Sequence, residues 1–248
     1  MSKSVFEQLS TILGSFEEAA WFENVVRLAK EWGFDQITFA VLPRSGLKFE
    51  DTFVRSTYAS SWLSSYGAGQ FAYIDPVVSH SMTRAAPLVW TPEVFSTAAQ
   101  KSMYEEAAGY GLRSGITLPV HGPGGKRGLL CLVSDRKPGN SFQKDIEAMI
   151  PNLVLLRDVV ADGARKHVDA HANRRTPKLT PREKECLEWV AIGKTAWEIS
   201  TIFGVSEAVV NFHMANVRAK FNVSSSRAAV MIAVQLGIVD VIDVSSRF

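Results

Sequence analysis

Seven aromatic residues gather within four dozen positions around one carboxylate: Tyr58, Trp62, Tyr66, Phe71, Tyr73, Trp90 and Phe95, with Asp75 among them. Tyr and Trp carry a hydrogen-bonding handle on a large apolar body, so such a set can hold an amphiphilic small molecule. The same residues can equally build a core whose polar tips bond to backbone. Asp75 also has two readings: it can accept a hydrogen bond from a ligand, or it can cap a helix that Pro76 opens. Catalytic readings fare worse. His80, His121 and His213 stand apart from any CxxC, HExxH or nucleophile motif. The glycines from Gly122 to Gly128 lack the order of a phosphate loop and read as a hairpin turn. No acidic cluster is followed by a lysine-bearing strand, as a phosphate-accepting receiver domain would need. Cys131 and Cys186 have no metal-ligand spacing and read as small buried residues of a reducing compartment. The chain is therefore expected to bind rather than catalyse, with neither a metal nor a cofactor.

A second chemistry lies between Leu179 and Phe221, where helix starts are written out. Thr180-Pro181-Arg182-Glu183 gives a cap residue, a proline at the first helical position and a glutamate three residues after the cap. Thr195-Ala196-Trp197-Glu198 repeats the cap and glutamate, Ser206-Glu207 opens a third helix, and Phe203-Gly204-Val205 is the short turn of a helix-turn-helix. Val210, Met214, Val217 and Phe221 recur at helical spacing and form the buried stripe. Asn211, Phe212, Ala215 and Arg218, with Lys220 beyond them, are left facing outward. An Asn can pair with an adenine edge, Ala and Phe can meet a thymine methyl, and Arg can take a guanine or a phosphate. Lys194 and Thr195, at the mouth of the second helix, are placed to meet phosphate. From Thr176 to Phe248 there are eight Lys and Arg against seven Asp and Glu, so bulk charge is weak and a dimer on two half-sites is expected. The segment Ser225 to Gln235, with Ala229 and Ile232 on one side, either forms that dimer contact or packs within its own helical unit.

These residues need elements to carry them. Phe16–Trp32 reads as a helix closed by Gly33, and Gln36–Leu42 and Thr52–Thr57 as strands joined by a turn containing Pro43 and Gly46. Ser60–Tyr66, Pro76–Arg84 and Thr97–Tyr110 read as helices. Gly115–His121 and Gly128–Ser134 form a hairpin, and Ser141–Ala161 is a long helix ended by Asp162-Gly163. Antiparallel strands between helices give an α-β-α sandwich. The chain is read as α+β: a sandwich domain over 1–163, a linker over 164–177 that is polar and basic, and an all-α helix-turn-helix domain over 178–248. A net charge of +2 excludes a polybasic tail. No run approaches the roughly 20 apolar residues of a membrane span. The start lacks the form of a signal peptide, so the expected compartment is the cytoplasm.

The residues named so far resemble the LuxR-type quorum-sensing transcription regulators, over essentially the whole chain. The first half carries Tyr58-x3-Trp62, Asp75-Pro76, Trp90 and Gly115. The second half carries Glu183-x3-Leu187-x5-Gly193, Glu198-Ile199-Ser200 and Asn211-Phe212-His213. Ala191-Ile192-Gly193-Lys194-Thr195 and Val78-Ser79-His80 look like the LasR-like branch. The resemblance implies an N-acyl-homoserine lactone as signal ligand, a homodimer, inverted-repeat promoter DNA and RNA polymerase as partners. It further implies that Trp62 donates to the lactone carbonyl, Asp75 accepts from the ligand amide N–H, Tyr58 donates to the amide carbonyl and Trp90 packs on the lactone ring. Tyr66, Val77, Phe95 and Cys131 complete the implied ligand set. The chain departs from the family pattern at Leu63, where an arginine is expected, at Val77, where a threonine is expected, and at Cys131, a weak donor in place of a serine. Leu129 is larger than usual where the acyl tail would lie. These departures motivate an alternative: a regulatory module that no longer senses acyl-lactones productively and acts through heterodimers or another small molecule.

Overall fold

A computed structural model describes residues 4–42, 52–175 and 177–239. The chain divides into two compact units, residues 1–171 and 172–248. Among the described residues of the first, five strands form one antiparallel sheet: β1 (Gln36–Leu42), β2 (Phe53–Ser56), β3 (Leu88–Val89), β4 (Ser114–His121) and β5 (Arg127–Ser134), in the order β2-β1-β5-β4-β3. The alternation of strand side chains splits the sheet into two faces. Ile37, Phe39, Ile116, Leu118, Leu130 and Leu132 pack with α1 (Val5–Leu13), α2 (Glu18–Glu31) and α6 (Asn140–Arg175). Ala40, Leu42, Leu129, Cys131 and Val133 face the other way, toward α3 (Ser60–Ala68), α4 (Pro76–Thr83) and α5 (Ala98–Ala108). The expected sandwich is thus present. The turn assigned to Pro43 and Gly46 lies outside the described residues.

One element corrects the sequence reading. The helix expected to stop at Asp162-Gly163 continues as α6 to Arg175, through most of the segment read as a linker. Gly163 is there for packing, not for termination. A Cβ on it would sit 2.8 Å from the Trp21 indole nitrogen, so only glycine lets the helix approach that ring. Ala164 and Val168 beyond it are buried, so the apolar stripe carries on and the helix with it.

The second unit is helical: α7 (Pro181–Ala191), α8 (Ala196–Phe203), α9 (Glu207–Phe221) and α10 (Ser226–Gln235) around Cys186, Leu187, Ile199, Val210, Met214, Val217 and Ala229. Thr180 with Glu183 and Thr195 with Glu198 form reciprocal capping boxes, as their spacing predicts. Ser206 occupies the N-cap of α9 but its side chain makes no capping hydrogen bond. Gly204 ends α8 in the left-handed region at φ 66°, a backbone conformation that most side chains resist.

Candidate functional site

The aromatic set converges on the α3–α5 face of the sheet. Trp62 is buried, its ring 5.8 Å from Tyr66, 6.0 Å from Phe71 and 5.7 Å from Tyr110, centre to centre. Phe95 stacks on Tyr104 at 4.4 Å. The Trp90 ring packs over Gly115, where a Cβ would approach it to 3.2 Å. Tyr73 does not join them. The short 3-10 turn Phe71–Tyr73 turns it outward, 71% exposed, while Phe71 packs inward.

Asp75 takes the capping position that Asp-Pro predicts. It is the N-cap of α4, one carboxylate oxygen accepting from the Val77 N–H at 2.8 Å; the other accepts from the Tyr66 hydroxyl at 2.8 Å. Burial raises its pKa, opposed by the bonds from Tyr66, Val77 and Val78. With about four lone-pair sites and these three bonds, the carboxylate keeps one site for a further donor. Burial likewise raises the Tyr58 and Tyr66 pKa values well above that of a free phenol, so both stay neutral donors. The Tyr58 hydroxyl is buried without a hydrogen bond. Its polar neighbour Thr38 is already engaged with Ser56 at 2.5 Å. A buried hydroxyl without a partner costs about 1–3 kcal/mol, and a ligand acceptor placed there would recover it.

A feature the sequence reading missed links these groups. Strand register puts Ser56, Thr38, Cys131 and Thr117 side by side across β2, β1, β5 and β4, a polar row on the face that carries the aromatic set. The Trp90 indole N–H donates to Thr117 Oγ1 at 2.8 Å, and Thr117 meets the Cys131 sulfur at 3.2 Å, where either group can donate. Burial pushes the Cys131 thiol up to about 12, so it acts as a thiol and not as a thiolate nucleophile. Period-two alternation along β1 and β4 was the signal for Thr38 and Thr117, but it only becomes a row once the strand register is known. Of the departures, Val77 and Cys131 are buried in this region, whereas Leu63 is 40% exposed on the outer side of α3.

A cleft of about 410 Å³ lies elsewhere, on the α6 side of the sheet, with Phe39, Val41 and Val120 among its lining. Three of its cations meet carboxylates, Lys126 with Asp169, Arg157 with Asp158 and Arg165 with Asp162, and Arg127 donates to the Met82 carbonyl.

In the second unit, Asn211, Phe212 and Ala215 are exposed on α9, opposite the buried Val210, Met214 and Val217. The cations are less free than their spacing implies. Arg218 donates to Ser226 Oγ at 3.1 Å, and Lys220 donates to Glu183 Oε2 at 2.5 Å and to the Lys178 carbonyl at 3.0 Å. Lys194 pairs with Glu198 at 3.0 Å, and Thr195 is occupied as the N-cap of α8. Burial would raise the Glu183 pKa, but Lys220 and the Thr180 N–H outweigh it and hold the carboxyl below its usual range. Ala229 is fully buried in its own helical unit, so packing at home accounts for it; the outward apolar residues of α10 are Met231 and Val234.

Comparison with known proteins agrees with this geometry. Residues 17–163 match the family model described as the autoinducer binding domain, and residues 177–233 that of the bacterial regulatory proteins, luxR family. The chain is 34% identical over 231 residues to the transcriptional activator protein AnoR of Acinetobacter nosocomialis, covering 93% of this chain and 96% of that one. It is 32% identical over 220 residues to the transcriptional activator protein VanR of Vibrio anguillarum, covering 88% and 90%. The crystal structure of Escherichia coli SdiA superposes with a TM-score of 0.69 at 25% identity, over 94% of this chain and 96% of that one. Among the described residues no helix is long and apolar enough to cross a membrane. The chain belongs to the LuxR-type family of quorum-sensing transcription regulators, in which an autoinducer-binding domain is joined to a DNA-binding helix-turn-helix.

Proposed function

We propose that this chain is a cytoplasmic transcription factor that binds an N-acyl-homoserine lactone among Tyr58, Trp62, Tyr66, Asp75, Val77, Trp90, Phe95 and Cys131. As a homodimer it then binds inverted-repeat promoter DNA through residues 178–248 and works with RNA polymerase. The observation that carries the ligand half is the pairing of a buried, unpartnered Tyr58 hydroxyl with a half-buried Asp75 carboxylate in one aromatic cage. A neutral ligand with an amide answers both: its carbonyl accepts from Tyr58 and its N–H donates to Asp75, and the apolar walls take the acyl tail. Trp62 would donate to the lactone carbonyl and Trp90 would cover the ring. Weak net charge in the DNA-binding half supports two copies on two half-sites.

Gel shifts on symmetric duplexes of varied half-site spacing, with and without a panel of acyl-lactones, test the reading. Lactone-dependent binding with half-sites about one helical turn apart is expected. Full-affinity, lactone-independent binding to a single half-site would contradict it.

A further inference from the structure

The outward face of α9 is short of cations in the region that enters a major groove. From Glu207 to Val217 the helix carries no Lys or Arg. Arg218, one residue further, is held by Ser226, and Lys220 by Glu183 and the Lys178 carbonyl. Beyond the exposed Glu207 at its start, the helix presents an amide flanked by apolar groups: Asn211 and Ala215 exposed, Phe212 62% exposed and Val209 41% exposed. His213 is half-buried, its ring 5.8 Å from that of Phe212.

Base-edge chemistry then decides what this face can read. A guanine is recognised chiefly by Arg or Lys reaching its O6 and N7, and the first turns of α9 supply neither. An adenine offers N6 and N7 to an Asn amide, and a thymine offers a 5-methyl to apolar side chains. An exposed Phe ring costs solvation in free protein and is repaid when it covers a methyl group. We infer that α9 reads A·T pairs, Asn211 taking an adenine edge and Phe212, with Ala215 beside it, packing on a thymine 5-methyl, so that thymine methyls are specificity determinants of the half-site. This rests on the DNA-binding function proposed above and names the base chemistry it selects.

The test removes the methyl and nothing else. Full-length protein, produced in cells supplied with a mixture of N-acyl-homoserine lactones, is used to enrich duplexes from a random-sequence pool. Enriched duplexes are remade with deoxyuridine in place of thymidine, one position at a time. At one thymine or more per half-site the affinity is expected to fall about fourfold, the worth of one buried methyl-sized group. Phe212→Ala, a change at an exposed position, is expected to abolish that difference. Replacing guanines with 7-deazaguanine is expected to change affinity less than about twofold, because no cation waits at N7. Indifference to every thymine methyl in the unaltered protein overturns the inference without any variant, as does a strong dependence on guanine N7. A uridine penalty that persists in full in Phe212→Ala overturns the assignment to the ring. Failure to enrich any sequence contradicts DNA binding itself, which separates that outcome from the others.

Discussion

Asp75 does two jobs with one carboxylate, capping α4 through Val77 and holding Tyr66 in place, and the proposed function adds a third in the ligand amide. Asp75→Ala leaves that N–H without an acceptor in a dry site, at a cost of about 1–3 kcal/mol. Ligand retained through purification, quantified by mass spectrometry, should fall sharply; undiminished retention would reduce Asp75 to a helix cap. Cys131 stands at the centre of the polar row, with Thr117 on one side and Thr38 on the other. Because a hydroxyl bonds more strongly than a thiol, Cys131→Ser should tighten binding of ligands with a carbonyl in reach by about 0.5–1.5 kcal/mol. Dose-response curves moving the opposite way would mean that sulfur volume, not hydrogen bonding, shapes the site. At this scale the sequence showed the residue types but not their partners. Asp75 was legible as either cap or anchor because Asp-Pro signals a cap while the aromatic residues around it signal a ligand. Tyr73 was grouped with its neighbours because a 3-10 turn has no apolar period to reveal which residue it turns outward. The engagement of Arg218, Lys194 and Lys220 depends on partners brought in by the fold, which spacing alone does not show.

Helices follow local signals where those signals have one meaning. Thr180, Thr195 and their glutamates mark α7 and α8 because a capping box satisfies donors that no other local structure would. Thr195→Ala should destabilise the DNA-binding half by about 1 kcal/mol, seen as a lower melting temperature. The same box predicts a pH dependence. The Thr195 N–H, with Lys194 and the Thr195 hydroxyl, holds the Glu198 carboxyl at about 2 instead of the ordinary 4.5. A depressed acid stabilises the folded state above its unfolded pKa. Its contribution is lost as pH falls from 4.5 through about 2. In that window circular dichroism should show less acid loss of helix in Glu198→Gln than in the unaltered chain, relative to each at neutral pH; equal losses would remove Glu198 as a cause. Gly163 is the contrary case, a local signal with two meanings. Glycine commonly ends a helix, but here it admits the Trp21 ring. Ala is the better helix former by about 1 kcal/mol, while crowding the ring costs about 1–3 kcal/mol. Packing should win, so Gly163→Ala should lower the melting temperature; a rise would show that Trp21 can move aside.

Across the whole chain, two kinds of chemistry sit in two compact units, one burying an aromatic cage and the other exposing a helix face. The sandwich was legible because alternation gives each strand two faces and each face found its helices. The sheet order β2-β1-β5-β4-β3 was not, since pairing between distant strands leaves no local trace. If the cage holds a signal, occupancy must stabilise the fold by mass action, by about 2.7 kcal/mol at ligand concentrations a hundredfold above Kd. Soluble yield and melting temperature should therefore rise when the chain is made with its acyl-lactone. The most direct test of the account is mass spectrometry of the organic extract from protein purified after expression with and without a mixture of acyl-homoserine lactones. Selective recovery of one or a few lactones in near-stoichiometric amount is expected, and its loss in Asp75→Ala. Folded, soluble protein whose extract contains no lactone under either condition would contradict it.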